Sequence, residues 1–126
     1  MTRKFMVVAV SDASQAGTYY SHWLSGFIES IQYVKDDTTP YADGVDVTVT
    51  SDKTGEVIWT GTDVNASTVV RPRANTCSTA GVAALYAASG TAVTDKIAVS
   101  TDRVKIVLAQ AGASKVGTFF ITVSDD

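Results

Sequence analysis

One cysteine, one histidine, two prolines and two glutamates are scattered through a chain of 126 residues. The lone Cys77 excludes an internal disulfide, and one thiol with one imidazole is too small a ligand set for a zinc-type site. A fold that needs no oxidative cross-link suits a reducing cytoplasm. His22, in "YYSHW", has no serine in a nucleophile-elbow pattern to activate, and Cys77 in "ANTCSTAG" matches no thiol-enzyme signature. Charge is sparse too. Charged residues make up 18% of the chain, with net charge −3 and pI near 4.9, which argues against a broadly basic face, so neither nucleic acid nor an anionic membrane surface is expected as a partner. Long apolar runs are missing. Residues 5–10, between "TRK" and Asp12, are too short for a signal-peptide core and read better as a first strand. No run approaches the roughly 20 residues that cross a bilayer as a helix.

What is present is strand after strand. Hydrophobic residues make up 45% of the chain, enough for one folded domain spanning residues 1–126. "KFMVVAV" is apolar on both parities, which predicts a strand covered on both faces. "GFIESIQYVK" predicts a half-exposed strand with Phe27, Ile31 and Tyr33 on its apolar parity. "GVDVTVT" alternates cleanly and, with "EVIWTG" after the turn "SDKTG", predicts a hairpin. "STVVRPR" is a strand stopped by Pro72, and "KIAV" is a short one. "RVKIVLAQAGASKVGTFFITV" reads as a closing hairpin, with Val104, Ile106 and Leu108 on one face and Phe119, Ile121 and Val123 on another. Gly26 and Gly117 interrupt strand patterns and predict bulges or close backbone approach. A short helix near residues 79–88, capped by Ser78, with Val82, Leu85 and Tyr86 at helical spacing and Gly90 as its stop, competes with a long alanine-rich loop. The expected fold is all-β: a single-domain antiparallel β-sandwich, or small barrel, of seven or eight strands.

Little in this pattern carries chemistry. Asp36, Asp37, Asp43 and Asp46 lack the alternation and terminal bidentate acid of a calcium loop and read as a solvated loop. Asp46 and Glu56 are expected to come opposite each other across a hairpin, but nothing in the sequence suggests a groove for paired-carboxylate chemistry. Asn65–Ala66–Ser67 matches a glycosylation acceptor by a pattern common by chance. Neither catalysis, a cofactor nor a metal is expected. Two surface features remain as interface candidates: Tyr19, Tyr20 and Trp23 in "GTYYSHW", and Arg71 and Arg73 on either side of Pro72. Aromatics and arginine are the side chains enriched at protein–protein contact centres.

Four ordered segments carry a resemblance: "GFIESIQYV", "VDVTVTSDKTGEVIWTGTDV", "VVRPRANTCSTAGVAALYA" and "DRVKIVLAQAGASKVGTFFITV". Together they cover most of the chain from residue 24 to residue 123 and resemble small proteins of tailed phages and prophages from the virion structural region. The pattern departs at Val70, where an aromatic is expected before "PRA", and in the insert "ANTCSTAGVAALYAASGT". The resemblance implies a capsid decoration or cement protein, made in the host cytoplasm and placed on the capsid exterior. Its implied partners are the major capsid protein and copies of itself, for which a trimer is one arrangement. A head–tail or tail component is the alternative within the particle. From another class comes a carbohydrate-binding β-sandwich, with Trp59 or the Tyr19–Tyr20–Trp23 cluster as its platform. A small enzyme is the least supported reading.

Overall fold

β-Branched residues alternate with polar ones along most of the chain, and the backbone follows that alternation into extended strands. A computed structural model describes residues 2–125, which hold ten strands and no helix. In order they are β1 (Arg3–Val10), β2 (Gly17–Tyr20), β3 (Leu24–Lys35), β4 (Asp46–Ser51), β5 (Val57–Gly61), β6 (Thr68–Val70), β7 (Arg73–Asn75), β8 (Thr94–Asp102), β9 (Val104–Ala109) and β10 (Val116–Ser124). Every pairing is antiparallel. The larger sheet runs β1-β10-β3-β8-β7, with β6 also on β3, and the smaller runs β2-β9-β4-β5. The all-β antiparallel class is therefore as expected, with ten strands instead of seven or eight. Splitting "STVVRPR" accounts for part of the excess: β6 and β7 flank Arg71 and Pro72, where the missing N–H interrupts a ladder.

The closing segment is not a hairpin. β9 pairs with β2 and β4 in the smaller sheet, while β10 pairs with β1 and β3 in the larger one. The turn between them crosses from one sheet to the other. Val104, Ile106 and Leu108 on one side and Phe119, Ile121 and Val123 on the other are all fully buried members of one core. Two strands whose inner faces are wholly apolar cannot both be satisfied side by side with that face open. They cover it from opposite sheets.

The helix near residues 79–88 does not form. Bridges Cys77–Ala83 and Leu85–Ala92, together with the bonds Ala84 N–H to Thr76 O and Val93 N–H to Ala84 O, fold residues 76–93 into an arm of turns. Val82 and Tyr86 are exposed, so the apolar stripe that helical spacing implied has nothing to pack on. Gly26 behaves as expected, whereas at Gly117 there is no bulge and the crowding comes from side-chain rings, not backbone. Gly26 has φ of +138°, lies at a register shift between β3 and β8, and leaves 2.5 Å between an added Cβ and the Ser124 carbonyl. At Gly117 an added Cβ would run into the rings of Tyr41 and Tyr33.

Two further departures matter for function. In β3 a second register shift lets Ile28 pair with Val123 while Ser30 pairs with Thr122, leaving Glu29 as the extra residue. The parity flips there, so Ile28 rather than Phe27 joins Ile31 and Tyr33 in the core. β1, expected to be covered on both faces, is covered on one. Val7 and Ala9 point inward, while Met6, Val8 and Val10 lie open on the outer face at 61%, 46% and 44% exposure.

Candidate interaction surface

The chain passes from the larger sheet to the smaller one at a sharp corner, because β8 ends at Asp102 and β9 begins at Val104. Thr101, just before it, has φ of +46°, an uncommon conformation for a β-branched residue. Buried Asp102 accepts the N–H of Arg103 at 2.7 Å and that of Lys53 at 3.1 Å, so one carboxylate fastens the corner to the β4–β5 turn. Asp52 N–H donates to the Arg103 carbonyl at 2.9 Å. Ser21 completes the fastening from the β2 side: its N–H donates to the Val104 carbonyl, and its hydroxyl accepts from Val104 N–H, each at 2.9 Å.

Arg103 projects outward from this anchored backbone. Its guanidinium carbon lies 4.0 Å from the centre of the Tyr20 ring and 5.1 Å from that of Trp23, and its Nε donates to Asp52 Oδ2 at 2.9 Å. Lys53 Nζ sits 5.1 Å from the Trp23 ring centre on its own account. Trp23 is 52% exposed and Tyr20 is 41% exposed, yet both are held by a cation that is itself pinned. Trp23 also borders a shallow cleft of about 290 Å³ shared with Arg3, Phe5, Leu24, Ser25 and Thr101. Across it, Arg3 Nη2 donates to the Ser25 carbonyl at 2.7 Å, and Thr101 N–H donates to Ser25 Oγ at 2.8 Å.

The structure brings two of the five sequence candidates, Tyr20 and Trp23, into this cluster and leaves the others outside. Tyr19 points toward the core and donates its hydroxyl to the Val10 carbonyl at 2.8 Å. Arg73 folds onto backbone, donating to the Pro72 and Glu29 carbonyls at 2.8 and 3.2 Å, while Arg71 is exposed. Beside Arg73, Glu29 accepts from Lys96 at 2.6 Å and from Ser124 Oγ at 2.7 Å, and these bonds hold its carboxyl below the usual range. Trp59 is half-buried against the core, with its ring packed over Gly61, so it offers no open platform. Two of the four acidic residues bind backbone amides. Asp36 accepts the N–H groups of Thr39 and Thr38, which lower its pKa, and Asp46 accepts that of Asp63. His22 and Cys77 are exposed, and among the described residues no group of three or more His, Cys, Asp or Glu is arranged to hold a metal.

Sequence reasoning missed Arg103, Lys53 and Asp102. The available signal was "TDRV" at a strand start, an acid–base pair beside a β-branched residue, but only the sheet crossing gives it meaning.

No family model and no curated protein matches the chain. Among solved structures, one described as "Crystal Structure of FLHE" aligns over 97% of this chain and 96% of its own at 9% identity, with a TM-score of 0.44.

Proposed function

We propose that this protein is a structural component of a tailed-phage particle: a decoration or cement protein that binds the outer surface of the head lattice and stabilises it. The observation that carries the reading is the Tyr20–Trp23 pair held open around Arg103 on a rigid corner. Exposed aromatics normally sacrifice burial, and side chains fixed before contact lose little entropy on binding. Tyr, Trp and Arg are also the residues on which binding energy concentrates. The resemblance of four ordered segments to phage structural proteins supplies the context, with the major capsid protein and further copies of this chain as partners. A modest contact suffices in that setting, because many equivalent sites on one lattice raise avidity without a new kind of contact.

The test is to purify particles carrying the protein and measure its copy number by quantitative mass spectrometry, with wild type beside Trp23→Ala. Many copies per particle, a loss of occupancy in the variant, and particles that fail earlier on heating support the reading. A stoichiometry of about a dozen places it at the head–tail junction or tail instead, and absence from particles ends the proposal. Trp23 beside a cleft favours one second reading, a glycan-binding platform. A glycan array that shows binding lost on Trp23→Ala, without particle association, selects that reading.

A further inference from the structure

β1 has a hydrogen-bonded partner strand on one side only, β10. At eight residues it is the longest edge strand here, against four in β2, five in β5 and three in β7. Its ladder with β10 runs without a register shift from Arg3–Val123 to Val10–Val116, and it contains no proline. Edges of this kind template pairing with another chain, and natural proteins blunt them with bulges, proline or inward charge. β1 has no bulge, proline or inward charge; Lys4 stands near one end, and the Val10 carbonyl at the other accepts the Tyr19 hydroxyl.

The outer face beside that edge is apolar. Met6, Val8 and Val10 alternate along β1, and the half-buried Phe120 stands opposite Met6 on β10. Charge enters only at the two ends. Lys4 lies with its Nζ 5.4 Å from the Phe120 ring centre, and Asp12 opens the turn after the strand, its N–H donating to the Ala16 carbonyl at 2.8 Å and its carboxylate accepting the N–H groups of Ser14 at 2.8 Å and Ala16 at 3.2 Å.

We propose that β1 pairs antiparallel with β1 of a second copy of this chain, joining the two larger sheets edge to edge about a two-fold axis through Val8. Residues directly opposite in an antiparallel pair point to the same side, so keeping both apolar faces together requires even-numbered residues to oppose even-numbered ones. Centring on Met6 sets Lys4 against Val8, and centring on Val7 sets it against Val10. Centring on Val8 alone sets Lys4 against Asp12, twice over, with Met6 against Val10 and Val8 against itself. Charge complementarity therefore selects both the occupant and the register. The contact is isologous: it consumes the edge on both copies and closes at two. It does not depend on phage-head binding, since it is measured on the isolated chain.

Sedimentation of the full-length protein over a concentration series tests it. The wild type sediments as a reversible dimer. Val8→Lys places like charges face to face on the axis and raises the dissociation constant by about tenfold or more. Lys4→Asp and Asp12→Lys each weaken the dimer, and the double exchange restores it. In a Cys77→Ser background, Val8→Cys cross-links to its own copy under mild oxidation. A wild type that stays monomeric at every concentration overturns the proposal. So does an oligomer, trimer included, that is indifferent to Val8→Lys and to the Lys4–Asp12 exchange. Circular dichroism identifies a misfolded variant, and the charge exchange then decides the matter alone.

Discussion

Arg103 lies 4.0 Å from the centre of the Tyr20 ring while its Nε is held by Asp52 at 2.9 Å, so one side chain braces an aromatic surface and ties it to the neighbouring turn. Removing it as Arg103→Ala should lower stability by about 1 kcal/mol, since half-exposed cation–π and ion-pair contacts contribute on that scale. Arg103→Lys should recover part of the loss, as a point charge cannot keep both the stacking and the directed Nε bond. Urea denaturation monitored by tryptophan fluorescence measures both.

Two glycines should respond to alanine for different reasons. At Gly117 the new methyl meets the Tyr41 ring and lies 2.8 Å from Tyr33 Cε1, inside a stacked pair whose ring centres are 5.8 Å apart. Overpacking there should cost about 1–3 kcal/mol. At Gly55 the space is open and only φ of +74° opposes the change, so about 1 kcal/mol is expected. Equal losses in the urea midpoint at the two sites would refute the packing argument.

Core truncations should separate inner from outer residues of the same type. Phe119→Ala removes a fully buried ring and should cost about 3–5 kcal/mol, and Ile106→Ala, from the facing sheet, about 2–5 kcal/mol. Val57→Ala, on an exposed position of β5, should stay within about 0.5 kcal/mol of wild type. Chemical denaturation curves with a common m-value provide the comparison.

Stability should fall at both ends of the pH scale for identifiable reasons. Lys96 and Ser124 lower the Glu29 pKa, and the Thr39 and Thr38 amides lower that of Asp36. Depressed folded values mean stabilisation that is complete above the ordinary carboxylate range and lost as pH drops through the folded pKa values. Burial raises Tyr33 and Tyr41, so their contribution holds below the ordinary phenol value and fades as pH rises beyond it. Glu29→Gln should flatten the acid limb of a urea-midpoint profile, and Tyr41→Phe the alkaline limb. Tyr41→Phe should also cost about 1 kcal/mol at neutral pH, because its hydroxyl donates to the Ala9 carbonyl at 2.6 Å.

Strand identity was legible wherever alternation was clean. Val47 and Val49 point inward as their spacing requires, and the β4–β5 hairpin has the expected loop. Sheet membership was not legible, because a strand–turn–strand pattern looks the same whether the turn stays within a sheet or crosses between two. β9 and β10 show the difference. Bulges hid parity as well: one extra residue at Glu29 moves Phe27 off the core side, and no local composition announces it. The helical spacing of Val82, Leu85 and Tyr86 misled because periodicity stabilises a helix only when a surface exists to receive its stripe. At the corner, Tyr20 and Trp23 stood out by residue type. Their brace, Arg103, is distant in sequence and became visible only through the fold.

β10, the tenth strand in chain order, lies in the middle of the larger sheet between β1 and β3. While the polypeptide is still emerging from the ribosome, β1 and β3 have no neighbour to bridge them, and the inner faces of Val7, Ile31 and Tyr33 stay wet. Cooperative closure must wait until β10 has emerged, and contacts between such distant parts of a chain form slowly. Until then, the nascent protein presents the hydrophobic strands that holding chaperones bind.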